Sequence, residues 1–533
     1  MIIRETGPFS WNIAEKAEKL SGKDRNLMKQ YEVFELALNG QPPEGSEALA
    51  EVNAVFTCDG QEKEVKGFYD GNGVYKVRFL PEKCGTYSWK VSGAVAAEGS
   101  KECVPGEKHG LVRTEKTHFV YEDGTRYIPF GTTIYALIHQ EDALVRETME
   151  SLKKAPFNKV RHCVFPKSYD FNQNEPPCYA FEKDAEGNWD VNRPNYRFWE
   201  RLEKAILELA DMGIESDLIL FHPYDRWGFA VMSAEENEIY LRYAVRRLSA
   251  FPSVWWSMAN EYDLCFAKTK EDWARFEEII KEEDPYGHLL SNHYCMKSYD
   301  NSRENITHLS MQNILFYKAP QWIREYKKPL IYDECCYEGN IHLSWGNISA
   351  EEMVHRFWCA YCDGAFATHG ETYLSNDDVL WWAKGGKLKG KSPEGIAFLR
   401  EVMERLPGAL EPWDEPVWTL YEPELQDGEA PADLMENPFF KLRASLTDAE
   451  KDALDLKDSA YCGHFEEKAF IKYYGIQQPA RSCMFLPKDH IYRIELIDTR
   501  EQKRSVLMSG ASGTVWFDMP GKEKMAVLAV ADD

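Results

Sequence analysis

The chain has 533 residues, 44% hydrophobic and 13% aromatic, so it is long enough for two or three domains with large apolar cores. Its formal net charge of −25 argues against nucleic acids and anionic membranes as partners, because binding phosphate groups requires a basic surface. These values fit a protein that handles neutral ligands.

The sequence contains none of the usual signals for export or membrane insertion. Met1–Thr6 lacks a basic region followed by an apolar one, so no secretory signal is expected there. No run of about eighteen apolar residues occurs, which predicts that the chain does not span a membrane. The 13 cysteines are irregularly spaced and odd in number, as is typical of reduced thiols. We therefore expect a cytoplasmic protein.

Residues 1–108 show short strand patterns separated by turns. Val52–Phe56 and Val74–Phe79 are typical of strands, and Asn72-Gly73 is a strong hairpin signal. Frequent short strands of this kind predict an N-terminal β-sandwich.

Residues 109–407 alternate between strand and helix patterns, which indicates a parallel sheet. The predicted strands are 127–131, 159–165, 215–221, 253–259, 288–291, 306–311, 329–332 and 364–368. The helical stretches between them include 195–212 and 239–250. Eight strands over about 300 residues favour a (β/α)₈ TIM barrel in an α/β architecture. No glycine-rich nucleotide-binding motif follows any strand.

The last part of the chain has two sections. Residues 408–440 are rich in Pro, Asp and Glu and are predicted to be a linker. Residues 441–533 carry strand patterns at 469–474, 491–497, 513–517 and 525–530. They predict a small C-terminal β-sandwich domain.

Acidic residues follow two of the predicted barrel strands directly. The apolar run Val254–Ala259 ends in Asn260-Glu261, and Pro329–Tyr332 ends in Asp333-Glu334. The carboxyl ends of barrel strands carry the chemistry in enzymes of this fold. A pair of carboxyl groups meeting there would suit the hydrolysis of a glycosidic bond.

Three motifs carry a specific family resemblance: His222–Gly228, Val254–Asp263 and the N-terminal Gly67–Gly71. The chain resembles the clan A glycoside hydrolases, and within them the apiosidase-like group with its DUF4038-type relatives. The resemblance implies that Glu261 is the general acid/base and that Asn260 contacts the sugar 2-hydroxyl. It also implies that Glu334 is the nucleophile of a retaining mechanism.

The physical requirements of that mechanism agree with this assignment. The acid must keep its proton near neutral pH, which apolar neighbours such as Trp256 and Tyr262 would favour. The nucleophile must be ionised, and a nearby Arg161 would lower its pKa. Asp333 is the rival nucleophile, but successive strand residues point to opposite faces, so only one of the pair is expected at the barrel mouth.

Further polar and aromatic residues follow the predicted strands and are candidates for contacts with the sugar. They are Arg161, His222, Tyr224, Asp225, Gln312, His369, Glu371, Tyr373 and Trp381, with Trp382 as the alternative stacking platform. For His222, Tyr224 and Asp225 the alternative is a hydrogen-bonded loop that shapes the mouth. Gln312 is the candidate to position the nucleophile, because Ser310–Asn313 departs from the His and Tyr that many clan A enzymes carry there.

The leading hypothesis is a cytoplasmic, retaining, exo-acting glycoside hydrolase that acts on small glycosides or oligosaccharides and uses no cofactor or metal. One alternative is an inactive, carbohydrate-binding barrel. Another is a metal-dependent barrel hydrolase, but Gly131-Thr132-Thr133 lacks the expected histidines. His355, Cys359 and Cys362 share a helical face, and we favour buried side chains there over a zinc site, which usually has four ligands. Homo-oligomer formation is left open.

Overall fold

The computed structural model describes residues 28–414, 436–447, 449–450 and 460–532. Met1–Thr6 lies outside these residues, as do positions 415–435 of the predicted linker. No helix in the described ranges is long and apolar enough to cross a membrane.

The N-terminal region is a β-sandwich, as predicted. Its strands are β1 (Met28–Lys29), β2 (Phe34–Asn39), β3 (Val52–Cys58), β4 (Gln61–Lys66), β5 (Phe68–Tyr69), β6 (Val74–Phe79), β7 (Gly85–Gly93) and β8 (Ala97–Val104). One sheet has the order β1-β8-β7-β3-β4 and the other β2-β6-β5. Phe56 and Phe79 stack between the two sheets with ring centroids 4.0 Å apart. The hairpin at Asn72-Gly73 is confirmed, since β5 and β6 pair in antiparallel fashion around it.

A three-stranded sheet covers the N-terminal end of the barrel. It consists of β9 (Val112–Glu115), β10 (His118–Tyr121) and β11 (Arg126–Tyr127). Phe119 packs 5.3 Å from Trp255 and 5.5 Å from Phe366, two residues near the starts of barrel strands. This end of the barrel is therefore filled by side chains, and only the carboxyl end of the strands is left for a site.

The predicted (β/α)₈ barrel is confirmed. The strands of this region are β12 (Phe130–Thr133), β13 (Lys159–Cys163), β14 (Phe181–Lys183), β15 (Trp189–Pro194), β16 (Glu215–Phe221), β17 (Val254–Ala259), β18 (Leu290–Ser291), β19 (Leu309–Gln312), β20 (Leu330–Glu334), β21 (Glu338–Gly339), β22 (Phe366–His369) and β23 (Glu371–Thr372). Eight of them form one nearly closed parallel sheet in the order β18-β17-β16-β13-β12-β22-β20-β19. Every residue of β16 and β17 is buried, because helices cover the outside of the barrel and side chains fill its inside.

Helices surround this sheet. They are α1 (Asp142–Leu152), α2 (Tyr196–Asp211), α3 (Ala234–Leu248), α4 (Lys270–Glu283), α5 (Ala319–Tyr326), α6 (Ala350–Cys362), α7 (Trp381–Lys384) and α8 (Ser392–Glu404). Short 3₁₀ turns lie at Leu137–His139, Phe229–Val231, Tyr262–Leu264, Phe316–Lys318 and Ser344–Gly346. Helix α3 begins with a capping box in which Ser233 and Glu236 bond to each other's backbone N–H groups.

A buried ion-pair network joins the sandwich to the barrel. The Glu203 carboxylate accepts a hydrogen bond of 2.6 Å from Arg78 and also pairs with Arg247. Arg247 in turn pairs with Asp70 of the β5–β6 turn. Because each buried charge has an opposite partner, the desolvation cost is offset and the sandwich is held against α2 and α3.

The C-terminal domain is a β-domain, and the helix α9 (Pro438–Ser445) precedes it. Its strands are β24 (Glu411–Pro412), β25 (Tyr461–Phe465), β26 (Ala469–Tyr473), β27 (Arg481–Phe485), β28 (Tyr492–Asp498), β29 (Lys503–Ala511), β30 (Thr514–Asp518) and β31 (Met525–Ala531). Six form a sheet, and β27 pairs with β30. The edge strand β24 comes from the described part of the predicted linker. His355 of α6 lies 2.8 Å from the Tyr473 hydroxyl, so it serves the contact between the two domains.

Candidate active site

Four buried charged residues form the floor of the barrel mouth. Lys159 Nζ lies 2.7 Å from both Asp217 Oδ2 and Asp333 Oδ1, and Arg161 Nε is 3.4 and 3.8 Å from the same two oxygens. Burial opposes ionisation of Asp333, but the positive charges of Lys159 and Arg161 outweigh it and hold the pKa of this carboxyl well below its usual range. Ser310 and Thr368 also donate to Asp333. With all of these partners, Asp333 is a charge-balancing residue of the floor.

A β-bulge brings Glu334 to the mouth. Met311 pairs with Tyr332, whereas the next residue, Gln312, pairs with Glu334, so Asp333 is an extra residue on β20. The expected alternation of faces therefore fails here. Asp333 and Glu334 both turn toward the barrel axis, at different depths, because the extra residue breaks the pleat.

The Glu334 carboxylate lies among polar side chains from several strands. The Tyr135 hydroxyl contacts it and also lies 2.8 Å from Asn260 Oδ1, and Arg161 Nη1 is 3.9 Å away. Burial raises the pKa of Glu334 to about 7, and the negative charge of Glu261 adds to this rise. Arg161 lowers the pKa of Glu334, as predicted, but burial and the charge of Glu261 outweigh this effect.

Glu261 follows β17 with an unusual backbone conformation. Its φ of 55° is in the left-handed region, which is rare for a residue with a side chain and often marks a functional site. Its amide N–H donates to His293 Nδ1 over 3.3 Å, and its carboxylate accepts a hydrogen bond from the Tyr224 hydroxyl. The turn thus points the carboxylate into the mouth.

Three expectations about the neighbours of the two glutamates are corrected. Trp256 donates to Asp284 and Tyr262 to the carbonyl of Ser298, so both side chains are engaged away from the Glu261 carboxylate. When its amide is oriented so that the nitrogen can donate, Gln312 donates to Glu261 Oε1 over 3.2 Å and to the Tyr294 carbonyl oxygen over 3.1 Å. Gln312 therefore contacts the predicted acid rather than positioning the predicted nucleophile.

Of the candidate residues after β16, one contacts a catalytic candidate and another holds the loop that follows the strand. Tyr224 reaches Glu261, as described. His222 bonds through Nε2 to the Phe165 carbonyl, and its Nδ1 has no partner among the described residues. The Asp225 carboxylate accepts the backbone N–H groups of Trp227, Gly228 and Ala230. Asp225 thus shapes the loop, which was the alternative to a contact with the sugar.

Two candidates after the eighth strand lie behind the barrel wall, and their predicted place in the sugar pocket is corrected. His369 stacks on Phe157 at 4.7 Å, and its Nδ1 is 3.0 Å from Thr132 Oγ1. Trp381 donates to the same hydroxyl over 2.8 Å and belongs to the main hydrophobic core. For His369 the reason is strand alternation, since Thr368 points inward and His369, the last residue of β22, must point outward. Trp381 lies at the start of α7, which places its ring in the core. Trp382 is instead on the mouth side, 5.4 Å from the Tyr135 ring.

Glu371 and Tyr373 belong to a separate cluster around Glu338, so their expected contact with the substrate is corrected as well. Tyr373 donates to Glu338 over 2.9 Å. The oxygens of Glu338 accept the N–H groups of residues 391 and 392, and those of Glu371 accept the N–H groups of residues 389 and 390. Burial raises the pKa of Glu371 to about 7.

Within the described residues, Glu338, His369 and Glu371 form the one group spaced to hold a metal ion. Because each carboxylate oxygen already binds an amide, we assign the two acids to holding the turn 389–392.

Sequence reasoning missed several residues at the mouth, among them Tyr135 and Lys167. Each follows a barrel strand directly, Tyr135 two residues after β12 and Lys167 four residues after β13. Their position after the ends of barrel strands was the sequence signal that could have identified them. The Lys167 ammonium lies 3.4 Å from the centroid of the Tyr135 ring and 4.3 Å from that of Tyr224.

The comparisons with known proteins agree with this geometry. Residues 113–421 match the model of the apiosidase-like catalytic domain, and residues 27–94 and 459–529 match two domains of unknown function, DUF5060 and DUF5605. No curated protein matches.

Solved structures show the same architecture. A protein from Bacteroides vulgatus provisionally assigned as a glycoside hydrolase is 31% identical, with a TM-score of 0.81 over 95% of this chain and 100% of that one. A family 5 glycoside hydrolase from the same organism shares the fold at 15% identity, with a TM-score of 0.56 over 80% of this chain and 93% of that one. The catalytic-domain match spans more than half of the sequence, and the carboxylate-lined barrel mouth agrees with it. The chain therefore belongs to the apiosidase-like family of glycoside hydrolases.

Proposed function

We propose that the protein is a retaining, exo-acting glycoside hydrolase in which Glu334 is the nucleophile and Glu261 the general acid/base. The observation that carries this proposal is the pair itself. The buried Glu261 and the largely buried Glu334 come from opposite sides of the barrel and approach closely enough for the charge of Glu261 to raise the pKa of Glu334. Such a pair holds one proton near neutral pH, as a double displacement requires.

In the first step, the Glu334 carboxylate attacks the anomeric carbon while Glu261 gives its proton to the departing oxygen. Tyr135 holds the nucleophile and orients Asn260, whose Nδ2 has no partner among the described residues. In the second step, the Glu261 carboxylate takes a proton from water, which attacks the glycosyl–enzyme bond and releases a sugar of retained configuration.

An aromatic wall on one side of the mouth supports exo action. Phe171 packs 6.1 Å from Trp345 and 6.0 Å from Trp382, and Tyr169 is 5.1 Å from Trp382. These side chains come from the segments after β13, β20 and β22, so three loops meet there. Loops that close one end of a cleft favour small glycosides or the ends of oligosaccharides over internal bonds. For the cellular site we propose the cytoplasm, in keeping with the lack of disulfides in the described residues.

Trapping the covalent intermediate tests the assignment. A 2-deoxy-2-fluoro glycoside of an accepted sugar with an activated leaving group should inactivate the enzyme and add one sugar per chain. Peptide mass spectrometry should find the label on Glu334. A label on Asp333, or a product of inverted configuration by NMR, would contradict the proposed mechanism.

The pH dependence follows from the shared proton. The pKa of about 7 at Glu334 is the second ionisation of the pair, so the singly protonated, active form is lost as the pH rises through about 7. We expect kcat/KM to fall tenfold per pH unit above that value. The measurement is the rate at low substrate concentration between pH 4 and 9, and a constant rate up to pH 9 would contradict it.

A further inference from the structure

Lys167 is a largely buried lysine whose ammonium has no hydrogen-bond or salt-bridge partner among the described residues. Only 2% of the residue is exposed. Within the described part of the chain, it donates no hydrogen bond from its ammonium group and forms no salt bridge. Instead, aromatic rings surround the ammonium. The centroids of Tyr135, Tyr224, Tyr169 and Trp382 are 3.4, 4.3, 5.0 and 5.5 Å away.

Ring contacts alone do not satisfy such a group. A lysine ammonium has three N–H donors, which need oxygen acceptors in addition to ring faces. The Nζ atom is not among the fully buried atoms without a partner in the described residues, so it keeps some accessible surface. A ligand in the mouth could therefore supply the oxygen atoms that these donors lack.

The ammonium is linked through two tyrosine rings to both glutamates of the proposed mechanism. The Tyr135 ring connects it to the Glu334 carboxylate, and the Tyr224 ring connects it to that of Glu261, because each hydroxyl contacts one of the two. Lys167 is thus placed between the proposed nucleophile and the proposed acid, on the side of the mouth that Trp382 closes.

We infer that Lys167 binds the sugar next to the scissile bond by donating hydrogen bonds to its hydroxyl groups, and that this sugar is uncharged. This inference rests on the proposed function. The charges of the site support a neutral sugar. On the floor, Lys159 and Arg161 balance Asp217 and Asp333, while Lys167 balances the single negative charge of the glutamate pair. A uronic acid would bring an additional buried negative charge, and no free cation among these residues could balance it.

Lys167 also affects the ionisation of the glutamate pair. Besides Glu261, Glu334 and the tyrosines whose rings contact it, the titratable groups that interact with it electrostatically are Cys163, Arg161, His222 and His293. Burial and Glu261 raise the pKa of Glu334, whereas the charge of Lys167 lowers it. Removing that charge should therefore shift the alkaline limb of the pH profile to higher pH, an effect that loss of packing alone would not produce.

The test compares Lys167→Met with the wild type. Methionine keeps an apolar stem of similar length against the rings but has no charge and no donors. We expect kcat/KM on a neutral aryl glycoside to fall at least 100-fold and the alkaline limb to move up by about one pH unit. Lys183→Met is the matched control, because Lys183 lies 4.7 Å from the Trp189 ring but on an exposed strand, and it should behave like the wild type. Neutral glycosides and uronides with the same leaving group should be compared in parallel.

The outcomes separate the two proposals. If Lys167→Met keeps its rate within threefold and its limb does not move, while Glu334→Ala is inactive, the role of Lys167 is refuted and the hydrolase assignment remains. A faster reaction of the wild type with uronides would refute the neutral sugar. If Glu334→Ala and Glu261→Ala keep full activity, the proposed function itself fails. Circular dichroism spectra and melting temperatures of all variants show whether they fold, and a folded Lys167→Arg variant with partial activity would support the need for a cation.

Discussion

Glu334→Ala is expected to lower kcat/KM by on the order of 10⁴-fold or more, because the variant has no group that can form the covalent intermediate. The deletion leaves space beside the anomeric carbon. With an activated leaving group, added azide should enter this space and restore turnover, giving a glycosyl azide of inverted configuration. Initial rates and NMR of the product measure both effects.

The control for Glu334→Ala is Glu150→Ala, which removes an exposed carboxylate from α1 and should keep the wild-type rate. If azide does not rescue a folded Glu334→Ala enzyme, or if the azide product has retained configuration, Glu334 is not the nucleophile.

Glu261→Ala should show an effect that depends on the leaving group. Poor leaving groups need the proton from Glu261, so kcat/KM for an alkyl or simple phenyl glycoside should fall about 10³-fold. An activated nitrophenyl glycoside needs little protonation and should lose far less. Azide should then attack the glycosyl–enzyme and give a product of retained configuration.

A plot of log kcat/KM against the pKa of the leaving group checks the role of Glu261. The plot should be steeper for Glu261→Ala than for the wild type. Equal slopes would show that Glu261 does not protonate the leaving group. Since the two glutamates produce opposite azide configurations, the two variants together assign both roles.

The barrel and its strand ends could be predicted because the relevant signals are local. A strand such as β17 is recognisable from its nearly continuous apolar run, and its end is recognisable from the polar residues that follow. Since the carboxyl ends of parallel strands meet at one rim, Glu261 and Glu334 could be placed near each other before their contacts were known.

Other parts of the site depend on contacts between distant residues. Tyr135 reaches Glu334 across 199 positions of sequence, and Lys167 fits among rings from four loops, its own included. His369 and Trp381 were expected in the pocket because they follow a strand, but the pleat turns one of them outward and the helix α7 takes the other into the core.

The sequence by itself determined the fold class, the two flanking β-domains and the two acidic strand ends, because periodicity and motifs act over a few residues. Only the tertiary structure decided the depth of each carboxylate, through the bulge at Asp333, and the raised pKa of Glu334, through burial. It also decided which cation faces the mouth. The depth, burial and charge balance of these side chains depend on residues from several strands, so they cannot be read from any single segment of the chain.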